Sequence, residues 1–184
     1  MFCIDLFAMD IVELLTNSAD VKPVEKREAL AKAIQMKSVT IVDIQTARNV
    51  LNDKNLAIVF EAMEAVSGEY PELADLGWLI FVQDFVLSKS NSLKREASRI
   101  VGNIASMFPD DLETVMQYLM CNTKNESTVI RWGSAYALSR IIQIPKYANS
   151  DFYDVLTSLC VQEQENGVKN QLLNGLNKAK KLRK

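Results

Sequence analysis

The side chains in this 184-residue chain best suited to chemistry are arginine, tryptophan, tyrosine and asparagine residues that recur at one spacing. Aromatic and arginine side chains offer contact area, rigidity and hydrogen-bond donors, which is what binding surfaces use. Asparagine amides can both donate to and accept from a peptide backbone. The first set, spaced by 37 and 38 residues, is Arg95, Trp132 and Asn170, and the second, four residues further on, is Arg99, Tyr136 and Asn174.

The residue types that carry catalysis are scarce. The chain has no histidine, so any acid–base chemistry has to use Asp, Glu, Lys or Tyr. It contains no recognisable nucleophile–base pair and no glycine-rich phosphate loop. The three cysteines form no CxxC pair, which argues against a zinc site. We therefore expect a protein that is not an enzyme and has no cofactor and no metal.

The recurring residues belong to a repeated helix. Counting from Ile130, small or apolar residues follow at offsets 4, 7, 8 and 11, which is one stripe of an α-helix. The same offsets recur when the count starts at Leu93 or at Val168. The three stripes are Leu93, Ala97, Ile100, Val101 and Ile104; Ile130, Ser134, Ala137, Leu138 and Ile141; and Val168, Leu172, Gly175, Leu176 and Ala179.

A basic residue occupies offset 1 in all three copies: Lys94, Arg131 and Lys169. This position lies on the edge between the apolar stripe and the surface. We expect these side chains to pair with acids or carbonyl groups of the adjacent repeat, for example at Glu126 or Glu165. The alternative is that they form a secondary basic edge that contacts a ligand.

A second type of helix precedes each copy, so the chain alternates between two helices. A single helical hairpin cannot bury its apolar face and has to stack on its neighbours. The apolar sets of this helix are Leu73, Leu76, Gly77, Ile80 and Phe81; Leu112, Val115, Met116, Leu119 and Met120; and Phe152, Val155, Leu156, Leu159 and Cys160.

Two segments, SLKREASRIVGNI (residues 92–104) and VIRWGSAYALSRI (residues 129–141), resemble the second helix of the HEAT-type α-solenoid family. The resemblance covers residues 71–181, although the period is shorter than the ~40 residues typical of that family and the first copies are degenerate. It implies an all-α fold: a right-handed α-α superhelix, or short solenoid, of about five hairpins in one domain. The repeats are roughly 1–37, 38–68, 69–107, 108–145 and 146–184.

The earlier part of the chain is expected to be helical over residues 4–15, 24–37, 40–51 and 56–67. Val39, Ile41 and Val42 also suit a strand, but the neighbouring segments favour a helix. In the helix over 56–67 we place Ile58, Ala62, Ala65 and Val66 inward, because the other register buries Glu64. Residues 72–88 are apolar nearly all round, so we expect neighbours to cover that helix; the alternative is an exposed dimer patch.

Composition narrows the class of partner and the compartment. The net charge is −2 and the pI is about 5.3, which argues against a generally basic nucleic-acid binder but not against a local basic patch. The first residues lack the basic region of a signal peptide. The most apolar segment, 76–86, is too short to span a bilayer. We expect a cytoplasmic protein without a membrane partner, with Cys121 and Cys160 as buried free thiols.

The leading functional hypothesis is a scaffold that binds a protein or peptide segment. In a solenoid the second helices line the concave wall, which is the usual binding surface. Trp132 and Tyr136 would be anchors, the arginines would hold acidic groups, and Asn170 and Asn174 would pair with backbone. In the competing interpretation, Trp132 and Tyr136 pack sideways between helices and Arg95 and Arg99 form ion pairs.

Two further functions stay open at the level of sequence. One is nucleic-acid binding, including a DNA-repair-like activity, in which Arg95, Arg99, Arg131, Arg140 and Trp132 serve phosphates and stacking. The other is a subunit of a larger assembly, joined through the ends of the repeat array. Partner identity and oligomeric state do not follow from the sequence.

Overall fold

The structure is a computed structural model that describes residues 10–17 and 20–184. Over these residues it is all-helical and contains no strand, which confirms the all-α class. The predicted helix positions Ile4, Phe7 and Ala8 lie outside the described residues. The helices are α1 Ile11–Thr16, α2 Pro23–Gln35, α3 Ile41–Arg48, α4 Asp53–Glu69, α5 Leu76–Gln83, α6 Asn91–Ile104, α7 Glu113–Asn122, α8 Thr128–Ile141, α9 Pro145–Ala148, α10 Phe152–Gln162 and α11 Asn166–Ala179, with 3-10 turns at Pro71–Leu73 and Ala105–Met107.

The helices pack as two rows. The longer helices α2, α4, α6, α8 and α11 lie side by side in chain order, each against the next, and we call them the long-helix row. The shorter helices α1, α3, α5 and α7 contact one another in the same order. The two rows are joined where α5 packs on α6 and α7 on α8, and α10 packs on α11. In the described part of the chain, no helix is both long and apolar enough to span a bilayer.

The core lies between the rows and is built from the predicted stripes. Every residue of the three stripes is buried, from Leu93 on α6 to Ala179 on α11. The stripes are buried because each long helix is covered by its hairpin partner and by its neighbours in the row. In the same core, Phe60 of α4 packs against Phe81 of α5 and Phe85 just after α5, with ring centroids 4.7 to 5.7 Å apart.

Consecutive long helices approach closely at glycine. A Cβ on Gly102 of α6 would lie 2.9 Å from Cα of Ala137 on α8, and 3.0 Å from two ring atoms of Tyr136. A Cβ on Gly175 of α11 would lie 2.6 Å from Cα of Ser139 on α8. No side chain fits at these separations, so glycine at both positions sets how near the backbones come.

Four features differ from the expectation. In α4 the position predicted to be inward, Ala65, is exposed, and Glu64 is turned toward α6. The predicted helix over 72–88 is shorter because Asp75 caps a new helix, accepting a hydrogen bond from the backbone N–H of Trp78 at 3.2 Å. Ile80 of this helix is 52% exposed rather than covered. Cys160 is buried as expected, but Cys121 is exposed.

The contact between α8 and α11 predicts a stability difference between two glycine positions. Replacing Gly175 by Ala forces a methyl group into backbone atoms of Ser139, and we expect unfolding free energy to fall by about 2 kcal/mol. Gly68 is the matched control, because its Cβ would meet only the side-chain amide of Asn103 at 3.5 Å. Gly68→Ala should be neutral or stabilising by up to about 1 kcal/mol. Urea unfolding of both variants checks this; equal stabilities would contradict the close approach.

Candidate functional site

The predicted site residues lie on α6, α8 and α11, on the side of the long-helix row away from the buried stripes. Asn170 and Asn174 on α11 are exposed, and Trp132 and Tyr136 on α8 are half-buried. The side chains of Arg95 and Arg99 keep 37% and 32% of their surface exposed. The structure therefore brings all six onto three adjacent helices, but in unequal chemical situations.

Both arginines on α6 are held by buried carboxylates. Nε of Arg95 donates to Glu96 at 2.6 Å, and Nη1 of Arg99 donates to the other oxygen of Glu96 at 3.0 Å. Nη2 of Arg99 also lies 2.7 Å from the carboxylate of Glu64 on α4. The side chain of Glu96 is only 2% exposed. The two positive charges are thus matched by two negative ones within the protein.

Burial also affects the pKa of Glu64. Removal of its carboxylate from water raises the pKa of Glu64 above its ordinary value, and the nearby charge of Glu96 adds to the rise. The guanidinium groups of Arg99 and, more weakly, Arg140 oppose this rise in pKa without reversing it. The charge of Arg140 therefore acts weakly on Glu64 across the row.

A hydrogen-bonded chain connects three consecutive long helices through Asn103. The side-chain amide of Asn103 on α6 donates to the hydroxyl of Ser67 on α4 at 3.1 Å and to the carbonyl of Glu64 at 3.3 Å. The hydroxyl of Tyr136 on α8 donates to Oδ1 of Asn103 at 2.6 Å. The Tyr136 ring also packs over Gly102, so this side chain is fixed at both its edge and its tip.

Trp132, Tyr136 and Arg140 form a column along α8, spaced four residues apart; we call it the aromatic column. The rings of Trp132 and Tyr136 stack with centroids 5.6 Å apart and an interplanar angle of 22°. The guanidinium carbon of Arg140 lies 4.8 Å from the Tyr136 ring centroid, within cation–π range. The column therefore presents an aromatic group and a cation in a fixed arrangement.

A polar cavity of about 190 Å³ opens between α8 and α11, beside the aromatic column. It includes two of the predicted residues, Tyr136 and Asn174, and two cations, Arg140 and Lys178. No acidic residue is among its lining residues, which are Tyr136, Ser139, Arg140, Gln143, Gln171, Asn174, Gly175 and Lys178.

A larger cavity of about 610 Å³ lies elsewhere, between α7 and the segment formed by α9 and α10. Its walls are mostly apolar, with Met116, Met120, Phe152 and Val155, and Asp110 and Glu113 also line it. None of the predicted site residues lines this cavity.

Of the three residues of the basic edge, Arg131 has a structural role, whereas Lys94 and Lys169 form no ion pair in the described residues. Arg131 donates to both oxygens of Glu163, from Nε at 3.0 Å and Nη2 at 3.3 Å, and to the backbone carbonyls of Asn125 and Glu126 at 3.0 and 3.1 Å. It therefore ties the loop before α8 to the loop before α11. Lys94 and Lys169 make no ion pair within 4.0 Å among residues 10–17 and 20–184.

A metal centre has no support in the described residues, where no group of three or more Cys, Asp and Glu residues comes close enough to hold a metal ion. The lysine, arginine and amide groups around the polar cavity donate hydrogen bonds and do not favour a cation. The arrangement suits recognition of hydrogen-bond acceptors and of negative charge.

Comparisons with known proteins bear on the fold and not on the activity. A scan against protein-family models gives no match, and a search of the curated proteins gives none either. Among solved structures, a crystal structure of an engineered protein from the Northeast Structural Genomics Consortium is similar, with a TM-score of 0.66 at 16% identity. The match covers 92% of this chain and 47% of that one, so this chain spans about half its length.

A second engineered protein from the same consortium matches with a TM-score of 0.50 at 12% identity, over 95% of this chain and 98% of that one. At these identities the likeness extends to the fold alone.

The six residues predicted for this face leave out five that the structure adds to it, of which Arg140 was named only as a possible phosphate contact. Three of them share offset 10 of the repeated helix, one turn beyond Arg99, Tyr136 and Asn174, so extending the search by four residues would have found them. Glu96 has a local signal as well, because it stands three residues before Arg99. Glu64 has none, since its partner is 35 residues away. The five residues are Glu64, Glu96, Asn103, Arg140 and Lys178.

The clamp at Arg131 predicts a pH-dependent stability. Burial alone would raise the pKa of Glu163, but hydrogen bonds from Arg131 and the N–H groups of Glu165 and Gln164 outweigh it, so the net pKa is lowered from 4.5. A carboxyl group whose pKa is lower in the folded state stabilises the fold at pH values above its unfolded-state pKa. This contribution is lost as the pH falls through its folded-state pKa. We expect Glu163→Gln to lower stability by about 1–2 kcal/mol at pH 7, and less at pH 3.

Urea unfolding of wild type and Glu163→Gln between pH 7 and pH 3 measures this difference. Glu165→Gln is the matched control, because its exposed side chain makes no hydrogen bond within the described part of the chain. A difference for Glu163→Gln that stays constant across this range would show that the pairing with Arg131 does not lower the carboxyl pKa.

Proposed function

We propose that this chain is a HEAT-type helical-repeat scaffold, a short right-handed α-α superhelix, which binds a peptide or protein segment along its long-helix row. The consecutive packing of α2, α4, α6, α8 and α11 supports the repeat architecture. The likeness to the longer engineered protein is consistent with it. The proposed surface is the face carrying α8 and α11, with no enzymatic step.

The observation that carries the proposal is the aromatic column. A half-buried tryptophan stacked on a fixed tyrosine, with an arginine over the same ring, loses little further freedom when a partner binds. Trp and Arg are also the residues that dominate binding energy at protein interfaces. A column of this composition on a helix face that also carries exposed amides suits a partner with both apolar and polar groups.

The proposal assigns different roles to the predicted residues. Trp132 is the anchor, and Tyr136 positions it, since the Tyr136 hydroxyl is already bonded to Asn103. Asn170 and Asn174 are exposed on α11 and make no side-chain hydrogen bond within the described residues, so their amides are open to a peptide backbone. Arg95 and Arg99 support the face through Glu96 instead of binding the partner's acids.

Nucleic-acid binding has less support. Four arginines were candidates for phosphate contacts, and three of them pair with carboxylates: Arg95 with Glu96, Arg99 with Glu64 and Glu96, and Arg131 with Glu163. A duplex or strand needs a track of unpaired cations along its backbone. In the described residues this face provides Arg140 and Lys178 instead of a continuous track.

A capture experiment with nuclease-treated native lysate tests the proposal. Wild type should retain one protein partner, and the purified partner should bind Trp132→Ala and Asn170→Ala more weakly, with Trp132→Ala losing more than about fivefold in affinity. The affinities are measured by calorimetry on proteins of verified helicity. Gln162→Ala, an exposed position on α10 outside the long-helix row, is the matched control and should bind as wild type does.

Two outcomes would overturn this reading. If every variant captures a ligand from untreated lysate and none does so from nuclease-treated lysate, the ligand is a nucleic acid. If all three variants bind the partner equally, the partner contacts another face of the molecule.

A further inference from the structure

The polar cavity between α8 and α11 has a charge unlike the rest of the long-helix row. It contains two cations, Arg140 and Lys178, and no carboxylate lines it. Neither cation forms an ion pair within 4.0 Å in the part of the chain that the structure describes. On α6, by contrast, Arg95 and Arg99 are matched by Glu64 and Glu96, so in that part of the chain Arg140 and Lys178 are unmatched cations beside the aromatic column.

The donors around the cavity are partly fixed before any ligand arrives. The guanidinium of Arg140 rests over the Tyr136 ring at 4.8 Å, and that ring is held by Asn103 and Gly102. The part of the cavity wall formed by Gly175 and Ser139 is rigid as well, because these two residues pack against each other. Gln171 and Asn174 contribute two side-chain amides that donate no hydrogen bond within the described residues. A preformed set of charged and neutral N–H donors is what an oxyanion requires.

The size of the cavity limits what enters it. Its volume of about 190 Å³ corresponds to roughly six water molecules at ~30 Å³ each. This is below the ~300–1,000 Å³ of pockets that enclose a whole drug-sized ligand. It suits one acidic head group while the remainder of the ligand lies outside, along the aromatic column.

We infer that the cavity between α8 and α11 is an oxyanion subsite, which holds a carboxylate or phosphate group of the partner segment between Arg140 and Lys178. The inference rests on the proposed function and adds the chemistry that the partner has to carry: an acidic or phosphorylated residue next to its contact with Trp132. Arg140 and Lys178, further along the row, therefore take the acid-binding role that the sequence suggested for Arg95 and Arg99.

The test titrates the full chain with small blocked amino acids and follows the amide signals by NMR. The probes are N-acetyl-phosphoserine amide and N-acetyl-aspartate amide, with N-acetylserine amide and N-acetylasparagine amide as neutral counterparts. We expect saturable shifts of the Gln171 and Asn174 side-chain amides with an acidic probe only. Arg140→Gln and Lys178→Gln should each weaken binding about tenfold. Lys180→Gln, exposed and outside the cavity, should bind as wild type does.

The two acidic probes also distinguish the kind of oxyanion. Binding of the phosphoserine probe alone indicates a phosphate, and binding of the aspartate probe alone indicates a carboxylate. The subsite is overturned if acidic probes shift these signals no more than neutral ones. It is also overturned if Arg140→Gln and Lys178→Gln bind as wild type does, or if Lys180→Gln weakens binding equally. The probes bind without a protein partner, so a negative NMR result overturns only the oxyanion subsite. A negative capture result overturns the proposed scaffold function.

Discussion

The close approach of consecutive long helices is the constraint on which the rest of the surface depends. At Gly102 and Gly175 the backbone of one helix meets the backbone of the next, and no side chain separates them. The missing side chain at Gly102 also leaves room beside this contact for an aromatic ring. Tyr136 lies over Gly102 for this reason, and Trp132 stacks on Tyr136 in turn. The aromatic column is thus a consequence of backbone packing as much as of its own residue types.

The same proximity makes the charged groups interact across helices. Glu96 is almost fully buried, and a buried carboxylate is costly unless it is paired and hydrogen-bonded. Arg95 and Arg99 meet that requirement, and Arg99 extends the pairing to Glu64 on α4. These arginines stabilise the row and have little capacity left for a ligand. Arg140 and Lys178, beside the cavity between α8 and α11, have no such carboxylate partner among the described residues.

The part of the fold that depends on local periodicity could be predicted from the sequence. The stripes beginning at Leu93, Ile130 and Val168 are buried as expected, because an apolar stripe on a helix has few alternatives to facing the core. Helix α3 also formed where Val39, Ile41 and Val42 allowed a strand. Contacts between repeats were not predictable in the same way. Glu64 was expected to face outward because a carboxylate avoids the interior, but nothing near it in the sequence indicates that Arg99 lies 2.7 Å away.

The central claim is that a partner binds on the face of α8 and α11 and not on the exposed side of α10. Site-specific photo-crosslinking in cells tests it most directly, with p-benzoylphenylalanine in place of Asn170 on α11 or of Val161 on α10. Both positions are exposed, so neither replacement disturbs the core. The account predicts a cross-linked protein from position 170 and none from position 161. A cross-link from position 161 alone, or the same product from both, would contradict it.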